Sequence, residues 1–340
     1  MNWRASTLLL VVVVAAVAGV VWTSFRRADH VVVVYVSEDQ VFSEPILKDF
    51  ERESGTKVKA VYDTEETKSA GAMNRLIAEK ANPQADVYWA NEPIRAEALR
   101  QRGISAPYRS PGAQGIPDQY RDAEGHWTGF SARARVLIVN RSLKEKPFSI
   151  RAYTDPRFNG KAVIANPLFG TTTAHMAALF TVWGDGNAKT FLDAMRENNV
   201  RISSSNGESA DQVATGAFQF ALADTDDVYS RQKQGRPVEA IYPDQDDGGL
   251  GCFIVPNAVL LIKGGPHPEE GKRLIDYLLS RETEKKLANS DAGQIPLHSG
   301  VETPPNVRRL ETLKVMNVDY AVIAAKMQMI QPLLRDWAGH

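Results

Sequence analysis

Small clusters of oxygen-bearing side chains recur along the chain, each next to an apolar run. Glu38 and Asp39 follow residues 31–36. Asn91 and Glu92 follow 86–89, and Thr171, Thr172 and Thr173 stand ahead of an apolar stretch containing His175. Asn206 follows 200–203, and Asp224, Asp226 and Asp227 follow 220–223. Carboxylates are hard oxygen donors that suit calcium, magnesium, manganese or ferric ions. They equally accept charge-assisted hydrogen bonds from an organic ammonium. Three threonines at the start of a helix offer hydroxyls, backbone N–H groups and the positive end of a helix dipole, which suit an anion. The Asp226–Asp227 pair could also act as acid and base in an exported enzyme. Adjacent residues point in different directions, however, so a working dyad would need the loop to refold. Each cluster has a structural alternative as a solvated loop or a helix cap, and Asp224 or Thr225 would cap a helix running through Tyr229.

The elements that must position these clusters alternate between strand and helix. Residues 31–36 are a continuous apolar run, as in a strand buried on both faces. A helix follows over 44–53, with Ile46, Leu47 and Phe50 on one face and a stop near Gly55. A strand over 57–62, a helix over 72–80 and a short strand over 86–89 complete a first series. The order implies parallel pairing with right-handed crossovers. A second series reads as strands over 136–140, 161–165, 200–203 and 220–223, with helices over 175–183, 188–198 and 212–216. Strand text returns at 252–262 and an amphipathic helix at 269–280. Helical spacing also runs through Leu310, Leu313 and Met316, and again through Met327, Ile330 and Leu334. No long linker separates the two series, so they are expected to lie close and share crossing strands.

Length and composition bound the reading. At 340 residues the chain exceeds what one core usually organises, so two lobes are expected. An apolar fraction of 43% with 24% charged residues excludes a disordered chain. A net charge of −1 gives no reason to expect nucleic acid as a partner. The single cysteine, Cys252, excludes an internal disulfide and reads as a small buried hydrophobe. At the N-terminus, Arg4 precedes an apolar run from Leu8 to Trp22. Residues 1–27 therefore read as a signal peptide or an uncleaved membrane anchor, and the mature protein as extracytoplasmic. No cysteine follows the run, which excludes a lipoprotein anchor. No phosphate-binding loop, dinucleotide fingerprint, nucleophile elbow or H-E-x-x-H motif occurs.

A family resemblance gathers these features. Val34-Tyr35 with its polar loop, residues 50–55 with Val58, and Ala85-Asp86-Val87-Tyr88-Trp89 resemble the opening of extracellular solute-binding proteins of the ferric-ion-binding type. Pro256-Asn257-Ala258-Val259, the helix over 271–280 and Gln294-Ile295-Pro296-Leu297 are similar to its later landmarks in order and spacing. The resemblance implies a non-enzymatic α/β protein of the two-lobed type II periplasmic-binding fold, each lobe a mixed sheet flanked by helices. Residues 28–130 plus 255–300 would form lobe I, and 131–254 plus 301–340 lobe II. It implies a monomer with a small charged ligand in the cleft, and an ABC permease and ATPase as partners. A metal ion would be cargo, with no resident cofactor. In that family a histidine, a glutamate and two adjacent tyrosines hold ferric iron. Here Asp39 stands at the histidine place and Asn91, beside Glu92, at the glutamate place. Asp226-Asp227 stand at the tyrosine places, with Tyr229 two residues on. The resemblance thus offers Asp39, Glu92, Asp226, Asp227 and Tyr229 as metal ligands. The substitutions leave a zwitterion, an organic ammonium or a phosphorylated solute as the alternative.

Overall fold

The computed structural model of the chain describes residues 30–63 and 71–339. The expected signal or anchor segment, 1–27, lies outside the described residues. Among the described residues no helix is long and apolar enough to cross a membrane.

The first series forms as its residues dictate. The valine-rich β1 (Val31–Val36) is almost wholly buried. Helix α1 (Gln40–Ser54) buries Ile46, Leu47 and Phe50, and ends where Gly55 takes φ 70° and donates to the Glu51 carbonyl. Only glycine adopts that left-handed conformation without a Cβ penalty. β2 (Lys57–Tyr62) is an edge strand, followed by α2 (Gly71–Ala78), β3 (Val87–Ala90), α3 (Pro93–Gln101) and the two-residue β4 (Ser105–Ala106). β1 pairs in parallel with β2 on one side and β3 on the other.

The 13-residue β5 (Thr128–Asn140) joins this unit to the next. The second series comprises β6 (Ala162–Ala165), α4 (Gly170–Trp183), α5 (Asp185–Glu197), β7 (Arg201–Ser203), α6 (Asn206–Ala214), β8 (Phe220–Asp224), α7 (Thr225–Lys233) and β9 (Val238–Ile241). Its β6 pairs in parallel with β7 and β8. The chain then returns through β10 (Ile254–Ile262), α8 (Pro268–Leu278), α9 (Arg281–Asn289) and α10 (Tyr320–Ala338). The strand order is β2-β1-β3-β10-β5-β8-β6-β7, with β4 on β10 and β9 on β5.

That path is continuous because β5 belongs to both ends of it. Its first half pairs antiparallel with β10, between Ile254↔Ala134 and Val259↔Thr128. Its second half, from Arg135 onward, pairs with β8 and β9. Two parallel-strand cores thus meet along one crossing strand. In the first half, the register shifts between Pro256 and Asn257 and passes over Ser131, a bulge with φ 37°. A bulge bends the strand and re-aims the side chains beyond it.

Three expectations need correction. Thr171, Thr172 and Thr173 do not precede the helix: they form the first turn of α4, which starts at Gly170. The Leu310, Leu313, Met316 spacing does not make a helix. Only a 3-10 turn forms at Leu310–Thr312, and residues 314–316 run extended beside Cys252, which donates to the Lys314 carbonyl and accepts from Met316. Finally, α10 packs on α3 as well as on α4, so the C-terminal helix touches both series rather than the second alone.

Candidate functional site

Two arginines on the same strand organise the polar residues between the cores. Arg133 and Arg135 lie two apart on β5, so their side chains leave the same face. Both are at least nine-tenths buried. A buried guanidinium persists only when paired, so the partners of each define its role.

Arg135 is enclosed in a closed network. It donates to Asp224 Oδ1 at 3.0 Å, Thr171 Oγ1 at 2.9 Å and Thr172 Oγ1 at 3.0 Å. Thr171 in turn donates to Asp224 Oδ2 at 2.8 Å. Asn206 Nδ2 bonds the Thr171 hydroxyl and Asp224, and its Oδ1 accepts from Thr172. Although burial pushes the other way, Arg135 and then Arg133 hold the Asp224 carboxyl below the usual carboxylate range. Thr171, Thr172, Asn206 and Asp224 therefore come together as expected, but they face one another and the Arg135 head. Their long-range bonds tie the start of α4, the start of α6 and the end of β8 to the crossing strand.

Arg133 is less fully matched. Its Nη2 donates to the Asn91 carbonyl, and its Nε, like that of Arg135, has no protein partner. Burial opposes its charge, but Glu38, Asp226, Asp224 and Asp39 together raise its pKa. Glu38 and Asp39 come from the end of β1, and Asp224 and Asp226 from the end of β8. Polar ends of both series thus share one electrostatic neighbourhood around Arg133, which is where ligands of open α/β sheets sit. One ligand oxygen each from Asp224, Asp226 and Asp227 can lie within 4.8 Å of one another. Asp226 and Asp227 are half-buried. Burial first, then the neighbouring carboxylates, push their pKa values up, to about 6 for Asp226 and about 7 for Asp227. A cation arriving there would relieve that repulsion.

The other candidates serve local structure. Glu92 caps α3: its carboxylate accepts from Ile94 N and Arg95 N and pairs with Arg95 Nη1 at 2.6 Å. Asp224 and Asp227 form a capping box at the start of α7, where Asp227 Oδ2 accepts from Asp224 N at 3.1 Å. Tyr229 is buried, and its phenol lies 3.3 Å from that of Tyr242. Burial pushes the Tyr229 hydroxyl up, away from the phenolate form. Thr173 is buried with no partner for its hydroxyl. His175, against the Phe253 ring, has its pKa lowered to about 3 by burial and by Arg135, so it stays neutral.

Arg133, Arg135 and Tyr242 are absent from the residues singled out in the sequence. A signal for the arginines existed: two arginines alternate with alanines directly ahead of the apolar run 136–139, and arginines buried in such a strand must find partners.

Residues 46–315 match the family described as bacterial extracellular solute-binding protein. A putative 2-aminoethylphosphonate-binding periplasmic protein of Salmonella typhi is 27% identical over 67% of this chain and 67% of its own length. Iron uptake protein A1 of Synechocystis is 24% identical, covering 79% of this chain and 76% of that protein. The crystal structure of the apo ferric ion-binding protein A of Pasteurella haemolytica superimposes with a TM-score of 0.80 at 20% identity, over 91% of this chain and 98% of that one. That likeness shows the type II periplasmic-binding fold.

Proposed function

The chain belongs to the bacterial extracellular solute-binding protein family, and on that premise we propose that it traps a small charged ligand between two lobes. It is a periplasmic solute-binding component of an ABC transporter, and its partners are the permease and ATPase. We assign lobe I to residues 28–130 plus 255–300 and lobe II to 131–254 plus 301–340, with β5 crossing between them and α10 of lobe II also packing on α3 of lobe I, and take the working form to be a monomer.

The observation that carries the site is the buried Arg133 among carboxylates drawn from both ends of the molecule. The arrangement offers negative charge at Asp226 and Asp227 for a cationic centre, and a guanidinium for an anionic group. The first reading is ferric iron or another hard metal ion, with an anion at Arg133, in line with the relatives named for iron. Asp39, Asp226 and Asp227 would be its ligands, and Glu92 and Tyr229, held by Arg95 and Tyr242, would stand behind them. The second reading is a zwitterion whose ammonium meets the acids and whose phosphonate or phosphate meets Arg133. The occupied phenol of Tyr229, where iron sites use free phenolates, favours it, as does the relative named for 2-aminoethylphosphonate. We propose no catalysis at the pair, because the Asp227 carboxylate is turned back onto the Asp224 amide.

A ligand held by both lobes shifts an open–closed equilibrium only if it contacts the two states differently. Calorimetry with ferric citrate and with 2-aminoethylphosphonate separates the readings. Saturation should also compact the particle in small-angle scattering, and binding without compaction would overturn the trap.

A further inference from the structure

A second set of buried polar residues is hydrogen-bonded to Glu38. Trp89, Asn257 and Gln294 are fully buried, on three separate parts of the chain. Uncompensated amides of this kind cost free energy, so their partners are informative. Gln294 Nε2 donates to Glu38 Oε1 at 2.9 Å. Gln294 Oε1 accepts from Asn257 Nδ2 at 2.9 Å. Asn257 Nδ2 also donates to the Ser131 carbonyl at 2.6 Å, and Asn257 Oδ1 accepts from the Trp89 indole at 3.1 Å. A hydrogen-bonded chain thus runs from Glu38, beside Arg133, to the crossing strands.

It ends at the bulge. Ser131 is the residue passed over by the β5–β10 register, and its φ of 37° is sparsely populated for a residue with a Cβ. Side chains hold both its backbone groups. Its N–H donates to Glu284 Oε1 at 2.8 Å, and its carbonyl accepts from Asn257. Glu284 is fully buried and also accepts from the Leu297 and His298 amides and the His298 ring. Ala132 and Ile295 exchange backbone bonds of 2.7 Å each way. The 294–298 segment is therefore stitched to the bulge, two residues before Arg133 and four before the strand changes partners.

We propose that Gln294 is a positioning residue, which couples the state of the Glu38 carboxylate to the Ser131 bulge and so to the junction between the two cores. The proposal rests on the reading that ligand charge is felt at Glu38 beside Arg133. A ligand that alters Glu38 moves the Gln294 amide. Its two ends cannot turn independently, so the Asn257 bond to Ser131 and the Trp89 indole respond. An element with alternative arrangements that both sites bias is the physical requirement for coupling.

The Trp89 indole N–H is a reporter inside the chain, and its resonance in isotope-labelled full-length protein is assigned by its loss in Trp89→Phe. In ligand-free protein, Glu38→Ala should displace that resonance. Gln294→Met should displace it too, and the double variant should match Gln294→Met alone, since the chain is already cut. Additive displacements would overturn the proposal. Ferric citrate and 2-aminoethylphosphonate are then titrated separately. Whichever binds by calorimetry should move the indole in the wild type and leave it still in Gln294→Met. Binding with a still indole in the wild type overturns the relay. If neither probe binds but Glu38→Ala acts through Gln294, the relay stands and the cargo reading falls. Should Gln294→Met fail to fold, Glu38→Ala alone decides: an unmoved Trp89 resonance overturns the proposal.

Discussion

Arg133 and Arg135 share a residue type, a strand and a face, yet their surroundings differ in kind. Arg135 meets one carboxylate, two hydroxyls and a network in which nearly every polar atom answers another. Arg133 meets a backbone carbonyl and lies in the field of Glu38, Asp226, Asp224 and Asp39. The first arrangement fixes the fold of the second core. The second brings carboxylates from both series to one guanidinium, which is the arrangement proposed to receive ligand. The difference shows that two buried arginines on one face of one strand can differ in whether their partners come from one series or from both.

The comparison breaks most sharply at Arg135. Replacing it with Met leaves Asp224 buried without its partner, and loss of one member of a buried pair costs about 3–5 kcal/mol. Urea denaturation should show that loss for Arg135→Met. Arg133→Met, which relieves a less complete pairing, should lose far less stability and most of the ligand affinity. Equal destabilisation by both would erase the distinction.

The next effect falls on the acids. Asp226→Asn with Asp227→Asn should weaken binding by about 2–5 kcal/mol, as when one partner of a desolvated charge pair is removed. The capping role of Asp227 accounts for only about 1 kcal/mol of stability. Calorimetry beside a thermal melt separates the two, and unchanged affinity with a lowered melting temperature would reduce these residues to the start of α7.

Acidity sharpens the contrast further. Burial and neighbouring carboxylates raise Asp226 to about 6 and Asp227 to about 7, above the ordinary aspartate range. The folded state then binds more protons than the unfolded chain between about pH 4 and 7, so their contribution to ligand-free stability falls as pH rises through that window. Asp224 is shifted the other way, so its contribution is present above the unfolded carboxylate pKa and lost as pH falls below it. Melting curves of the ligand-free wild type and the double Asn variant should differ in slope across pH 4 to 7. Parallel slopes would contradict the raised values.

The smallest effect concerns Thr173. Its buried hydroxyl has no protein partner, so Thr173→Val should leave stability unchanged or raise it by about 1 kcal/mol. A matching loss of affinity for an anionic probe would add this hydroxyl to the Arg133 side of the comparison. Unchanged affinity would leave it in the core.

Much of the framework was legible because its causes are local. The valine run of β1, the Gly55 stop of α1 and the apolar faces of the first helices each follow from residues within a few positions. The acids after β8 were legible as a cluster, and so was their capacity to cap. The 310–316 segment misled because its apolar spacing fits a helix, whereas the hydrogen bonds it forms are with Cys252, far back in the chain.

The sequence by itself determined two strand–helix series and polar groups at the strand ends, since propensity, periodicity and glycine stops act over short distances, whereas the crossing strand was legible only over its last part, 136–140. Only the tertiary structure decided which of those polar groups are consumed by one another. Arg135 closes on Asp224 across 89 positions, and Gln294 reaches Glu38 across 256. The alternation that puts Arg133 and Arg135 on one face is written in the strand. Which of them is neutralised depends on the electrostatics of residues brought together only when the two cores meet.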